Sequence, residues 1–323
     1  MDLPIAAQSA DHITEPHPSL LPPLAELTPE SGEVFDDVPI IDYLMHPAIS
    51  RTDILNLRKS PAHYCAGRRK MARIELKPYD HREQNAKRFG EAIHCYILER
   101  DQFKKRFSPV LVDKHGHRQP RQKNDDKKLW VAYENECAAQ RITILPLSEW
   151  NDVPVIGEKL LACKKLKTLI DRAVGIEQTI LWLDAATDTP CKARFDIISE
   201  FPNGERFGVD LKSALDASEG AFARAAQNYG YDIQVAHYLA AGADIEHQIS
   251  DIYLVAFEKE DPWGIMFYDI EDADLEMARA IIHNTFMTYQ QCVSSGQWPN
   301  YPLDTKTVRF PAWRYKELND ALT

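Results

Sequence analysis

Asp210 and Lys212 stand two apart in the stretch FGVDLKS (207–213). There Phe207, Val209 and Leu211 alternate with Gly208, Asp210 and Lys212, the period of a half-buried strand. Successive strand residues face opposite ways, so the acid and the lysine share a face. The preceding stretch CKARFDIIS (191–199) alternates likewise and puts Lys192, Arg194 and Asp196 together. Asn203-Gly204 lies between the two stretches and predicts a turn that pairs them, bringing Asp196 and Asp210 together with Lys212 beside them. Two neighbouring carboxylates raise each other's pKa unless positive charge lies between them. A divalent cation with oxygen ligands meets that need. Lys212 would then orient an attacking water or stabilise charge developing on a phosphate.

The elements that must position these residues are legible from periodicity. Residues 1–37 are rich in proline, small polar residues and acids, and are expected to form a flexible leader, with the folded domain spanning 38–323. Ser50 can cap a helix over RTDILNLRKS, and Pro61 suits the first turn of the next. NAKRFGEAIHCYILERDQF reads as one amphipathic helix. Residues 113–128 are charged and polar and are expected to be mobile, a candidate DNA-contacting loop. Residues 125–172 look helical, with breaks around Pro146 and Pro154. EQTILWLD, CKARFDIIS and RFGVDLKS follow as a meander of strands. A helical stretch (AFARAAQNYGYDIQVAHYLAAG), two more strands and a helix over roughly 271–295 complete the chain. This order predicts one α/β domain with a mixed central sheet flanked by helices.

Bulk composition excludes several classes. The chain has 323 residues, 44% hydrophobic and 27% charged, which is globular. No apolar run is long enough for a membrane span, and the N-terminal stretch lacks the basic-then-apolar order of a secretory signal. The six cysteines, at 65, 95, 137, 163, 191 and 292, form no CxxC pair, so reduced thiols in a soluble cytoplasmic protein are expected. A net charge of −11 argues against a passive nucleic-acid coat, yet permits an enzyme that holds cations with carboxylates.

Beyond the hairpin, Gln234 and Tyr238 lie four apart on one helical face. The spacing D-x13-D-x-K followed by QxxxY resembles the RecB-like branch of the PD-(D/E)XK nuclease superfamily. Five stretches in order, SPAHY, FGEAIHCYILE, PCKARFD, GVDLKS and NYGYDIQVAHYLAA, resemble the catalytic domain of RecE-type exonucleases (exonuclease VIII) over about residues 50–240. SGQWPNYP and RFPAW approximate the family's C-terminal ending. The resemblance implies a PD-(D/E)XK core and a magnesium-dependent exonuclease, with manganese able to substitute. It would degrade duplex DNA from the 5′ end and leave 3′ overhangs. Partners implied are double-stranded DNA ends, a single-strand annealing protein, and further copies of the chain in a ring such as a tetramer.

Carried over residue by residue, the resemblance makes His94, Asp196 and Asp210 side-chain metal ligands, with the Leu211 carbonyl as a backbone ligand. Lys212 becomes the catalytic lysine, Gln234 and Tyr238 position the phosphate or strand end, and Glu177 binds a second ion or orients water. Phe195 departs from the family, many of whose members have proline there, and is expected to alter strand geometry slightly. Three rivals remain. A RecB-like nuclease of single strands usually carries four cysteines for an iron–sulfur cluster, and only Cys292 follows the core here. A silent DNA-binding scaffold would be expected to have lost part of the D…DxK…QxxxY set. A restriction enzyme would need a sequence-reading element.

Overall fold

A computed structural model describes residue 21 and residues 32–72, 88–112, 117–119, 124–243 and 248–309. Its first ordered element arises earlier than composition suggests. Strand β1 (Glu33–Phe35) lies inside the stretch expected to be a flexible leader and pairs antiparallel with a later strand, β4 (Ala173–Asp184), Val34 opposite Ile180. Leu21 is buried with Val38, Tyr43, Ala48 and Leu181, so apolar contact also ties the early chain to the sheet edge.

Helix α1 (Ile40–Met45) follows, then α2 (Arg51–Lys59) and α3 (Pro61–Ala72). Ser50 and Asp53 form a reciprocal capping box at the start of α2, the Ser50 N–H donating to Asp53 Oδ2 at 2.9 Å. The expected long helix after residue 85 is instead two: α4 (Arg88–Leu98) and α5 (Arg100–Arg106), joined at Glu99. Strand β2 (Phe107–Pro109) comes next, then α6 (Asn124–Ala139), β3 (Thr143–Leu145), α7 (Leu147–Ala162) and α8 (Lys164–Asp171). Part of the supposed mobile segment is therefore regular. Residues 124–128 open α6, and Arg118 bridges Val112, while 113–116 and 120–123 lie outside the described residues.

The break expected at Pro154 is absent. Pro154 sits inside α7, where Val153, Ile156 and Leu160 are buried in the core that also contains α4's Ile93 and Tyr96. Proline removes one helical hydrogen bond there, and packing of the apolar stripe outweighs the loss. Pro146 does mark a boundary, as N-cap of α7.

The meander forms as its alternation predicts: β4 (Ala173–Asp184), β5 (Thr189–Glu200) and β6 (Arg206–Ala214). Helices α9 (Glu219–Tyr229) and α10 (Tyr231–Ala243) lead to β7 (Ile249–Glu258), β8 (Ile265–Tyr268) and α11 (Asp272–Ser295). The sheet order is β1-β4-β5-β6-β7-β8, with β6 and β7 parallel and the other neighbours antiparallel. The predicted mixed sheet is thus present, mostly antiparallel. One face packs Ile54, Ile233, Ile282 and Phe286 from α2, α10 and α11 against β4, β5 and β7. The other packs Ile93, Ile156 and Leu166 from α4, α7 and α8 against Val209, Leu211 and Val255.

The helical stretch expected to be single is broken between α9 and α10 by Gly230, which adopts φ +64° and closes α9 as a left-handed cap. A Cβ there would also come 2.9 Å from Leu55 Cδ2. The kink lets α10 lie along the sheet with its Gln234 and Tyr238 face turned towards β5 and β6. Trp298 serves as a packing anchor, its ring stacked 5.5 Å from that of Tyr64. Trp313 and the RFPAW ending, apart from Arg309, lie outside the described residues. The six cysteines are free thiols, and among the described residues no helix is long and apolar enough to cross a membrane.

Candidate active site

The Asn203-Gly204 turn closes the β5–β6 hairpin, with Gly204 at φ +84° donating its N–H to the Phe201 carbonyl at 2.8 Å. The ladder then runs from Glu200↔Arg206 to Ile197↔Val209 and stops. At the next position a side chain replaces the main-chain partner: the Leu211 N–H donates to Asp196 Oδ2 at 2.7 Å. The carboxylate of Asp196 is thereby inserted between the strands, level with Asp210.

Asp210 and Lys212 share a face and form an ion pair. Lys212 Nζ also donates to Gln234 Oε1 at 2.9 Å, and Gln234 Nε2 returns a hydrogen bond to Asp210 Oδ1. Asp210, Lys212 and Gln234 therefore form a closed ring of contacts across β6 and α10. Asp210 Oδ2 is buried and receives no aligned hydrogen bond despite the nearby ammonium, which leaves a lone pair for a cation.

On the other side of Asp196 stand His94 and Glu177. His94 Nδ1 lies 3.6 Å from Asp196 Oδ2, and ligand atoms of His94, Glu177 and Asp196 all fall within 4.8 Å of one another. His94 reaches in because Gly90, one turn earlier on α4, lets the helix approach β6: a Cβ there would meet Ser213 Oγ at 2.7 Å. Glu177 reaches in by another route. It sits within a strand yet adopts φ +50°, a left-handed conformation that costs a non-glycine residue about 1 kcal/mol. Arg194 Nε holds its Oε2 at 2.6 Å, while Arg194 Nη1 donates to the Val38 carbonyl at 2.7 Å.

The electrostatics of this cluster are unfavourable without a cation. Burial first, then Asp210 and Glu177, push the Asp196 carboxyl well above the usual carboxylate range, against the opposing pull of Lys212 and the Leu211 N–H. Burial lowers the His94 imidazole, with Glu177 and Asp210 opposing, so its ring is neutral near pH 7 and offers a lone pair. The Leu211 backbone also opposes that lowering, so the expected backbone ligand stands beside the histidine. Nitrogen and carboxylate donors at this spacing, with the buried Asp210 Oδ2 beside them and only Lys212 facing it, fit Mg²⁺ or Mn²⁺. His94, Glu177, Asp196 and Asp210 are the residues that would hold it.

Tyr238 is buried on the same wall, its ring 4.8 Å from Phe195. Phe195 thus fills with an aromatic contact the position where proline was expected. Burial keeps the Tyr238 hydroxyl far from ionisation. A cleft of about 360 Å³ exposes Glu177, Asp196, Asp210, Lys212, Gln234 and Tyr238 together.

Several contributors to this cleft escaped sequence reasoning. Arg51 and Arg68 line it from α2 and α3. Tyr231 sets its ring 4.7 Å from Lys212 Nζ. Its place three residues before Gln234 was the available signal, because such residues share a helical face. Lys192, on the Asp196 face of β5, is almost fully buried and donates to the carbonyls of Tyr43, Leu44 and His46. Arg68 adds bonds to the carbonyls of Met45 and His46. Residues 38–46 are in this way fastened over the cleft through their main chain.

A family model for a PDDEXK-like domain of unknown function (DUF3799) matches residues 50–309. Among solved structures, a Eubacterium rectale protein described as a "putative exonuclease" is 13% identical, with TM-score 0.49, over 84% of this chain and 92% of that one. The protein SSO0001 is 15% identical, with TM-score 0.27, over 50% of this chain and 69% of that one. No curated protein matches the sequence.

Proposed function

From the premise that the chain belongs to the PDDEXK-like family DUF3799, a branch of a nuclease superfamily, we propose that it is a magnesium-dependent exonuclease acting on linear duplex DNA. The observation that carries the proposal is the meeting of two groups at Asp196, where the cleft adjoins the hollow that His94 and Glu177 line. His94, Glu177 and Asp196 stand on one side, and Asp210, Lys212 and Gln234 on the other. A bound divalent cation supplies Lewis-acid polarisation of the phosphate and a lowered pKa for the attacking water.

The chain's own side chains supply the rest. Asp196 Oδ2, fixed by the Leu211 N–H, is also the oxygen that lies beside the His94 ring. Arg194 holds Glu177 in its strained conformation. Gln234 and the Asp210 carboxylate engage two of the three Lys212 N–H donors, which leaves one to reach a phosphate oxygen or the water that attacks it. Tyr238 keeps its proton and can donate to the phosphate.

Digestion from the 5′ end with 3′ overhangs as product is the reading favoured by the ordered RecE-like stretches. The overhang would serve a single-strand annealing protein. A ring of copies would let phosphate contacts line a channel while the outer surface carries the net charge of −11.

Duplex DNA labelled separately at its 5′ and 3′ ends tests this, with Mg²⁺, with EDTA, and with Lys212→Ala. Early loss of the 5′ label, abolished by EDTA and by the substitution, is the expected result. Loss of the 3′ label first would reverse the polarity. Cleavage confined to single strands would replace the duplex substrate. Intact DNA with binding preserved would make the chain a scaffold.

A further inference from the structure

Lys212 has a third neighbour besides Asp210 and Gln234. Its Nζ lies 4.7 Å from the centroid of the Tyr231 ring. Tyr231 opens α10 immediately after Gly230, whose left-handed conformation turns the chain, and it precedes Gln234 by one helical turn. Both residues thus reach Lys212 from one face of one helix. The ring is held from several sides. The Tyr229 ring stacks at 5.9 Å and 27°, the Phe222 ring tilts at 5.8 Å, and the Arg51 guanidinium lies 5.8 Å from the centroid. Arg51 is itself tied to the Tyr229 carbonyl.

An aromatic face attracts an ammonium without taking its proton and without adding negative charge. A further carboxylate would have deepened the crowding among Glu177, Asp196 and Asp210. The ring restrains the flexible end of the lysine and leaves its N–H donors directed at the cleft, where the side chain is 16% exposed. We propose that Tyr231 is a positioning residue for Lys212: its ring face fixes where the ammonium stands relative to the scissile phosphate. The role in cleavage rests on the nuclease reading above, whereas the hold on Lys212 does not.

The test compares Tyr231→Phe, which keeps the ring face, with Tyr231→Leu, which removes it. In single-turnover cleavage of end-labelled duplex with Mg²⁺, Tyr231→Leu is expected to lower the rate about tenfold, the size of a partly desolvated cation–π contact. Half-saturating DNA concentration should stay within about twofold, and Tyr231→Phe should cleave within about twofold of wild type, because the contact needs only the ring. The second readout needs no cleavage. In protein labelled with ¹³C-lysine, the Lys212 Hε resonances, identified by their loss in Lys212→Arg, should be shifted upfield by the ring current. That shift should persist in Tyr231→Phe and vanish in Tyr231→Leu.

A wild-type Lys212 at ordinary lysine shifts overturns the proposal without any variant. So does a folded Tyr231→Leu protein that cleaves at the wild-type rate, or a Tyr231→Phe protein as slow as Tyr231→Leu. Wild-type protein that leaves DNA intact while Lys212 keeps its upfield shift would defeat the nuclease reading and retain the contact.

Discussion

His237 makes the stability of α10 depend on pH in a direction that can be worked out. Its ring is buried 4.7 Å from that of Trp182 and 6.4 Å from that of Phe286, with Nε2 3.1 Å from the Lys192 carbonyl. Burial pushes the imidazole down to about 4, against the pull of backbone hydrogen bonds at Lys192 and Ile49 and of Asp53 and Asp184. In the unfolded chain the same group titrates near about 6.5. The folded state therefore binds the proton more weakly. Its stability is complete above the unfolded value, declines as pH falls below it, and stops declining below about 4. At about 1.4 kcal/mol per pH unit, the loss amounts to about 2 kcal/mol at pH 5 and about 3 kcal/mol in full.

Wild-type protein alone would not isolate this effect. Asp196, whose carboxyl is raised, binds its proton more tightly when folded and contributes with the opposite sign. The assay is therefore urea denaturation in EDTA at pH 7.5 and pH 5, for wild type and for His237→Gln, followed by tryptophan fluorescence. Subtracting the variant removes Asp196 and every other shared group. The stability deficit of His237→Gln should shrink by about 2 kcal/mol between the two pH values. A deficit unchanged by pH would refute the reasoning, because it would mean that folding leaves the imidazole pKa where it was.

Two further outcomes follow from the site and the kink. Asp196→Asn keeps an oxygen for the Leu211 N–H and removes a buried charge. In EDTA its melting temperature should rise above wild type. It should also lose most of the stabilisation expected of Mg²⁺ on wild type under the proposed metal site, about 2.7 kcal/mol at a hundredfold excess over Kd. Gly230→Ala should destabilise the fold by about 1–2 kcal/mol, read by urea midpoint, because φ +64° disfavours a Cβ and Leu55 stands in its way.

The sequence was most informative where local pattern and chemistry coincide. Alternation around Asp196 and Asp210 needed only a turn at Asn203-Gly204 to face the two acids, and the strands did the rest. Gln234 shared a legible helical face with Tyr238, but its place above β6 was implied only by the family resemblance. Glu177 was harder, because its approach depends on a left-handed residue inside a strand, which no propensity anticipates. The kink at Gly230 looked like an isolated glycine within helical periodicity. Strand β1 was hidden by its length of three residues in proline-rich surroundings, where pairing with β4 decides the conformation. Pro154 misled in the other direction, since a strong local breaker yielded to a buried stripe. Arg194 and Lys192 were visible as cations beside Asp196, but their partners are carbonyls and an acid from elements remote in sequence.

The fastening of residues 38–46 has a consequence for how this cleft can be altered. Every bond from Lys192, Arg68 and Arg194 to this segment ends on a main-chain oxygen. Carbonyls are present whatever side chain follows, so this part of the attachment is specified by the body of the domain, while the buried Val38 and Tyr43 side chains add the segment's own packing. Ile40 and Ile41, which face the cleft or its neighbouring hollows, take no part in these bonds. The rim of the cleft can thus be rewritten residue by residue while the three cations keep it moored.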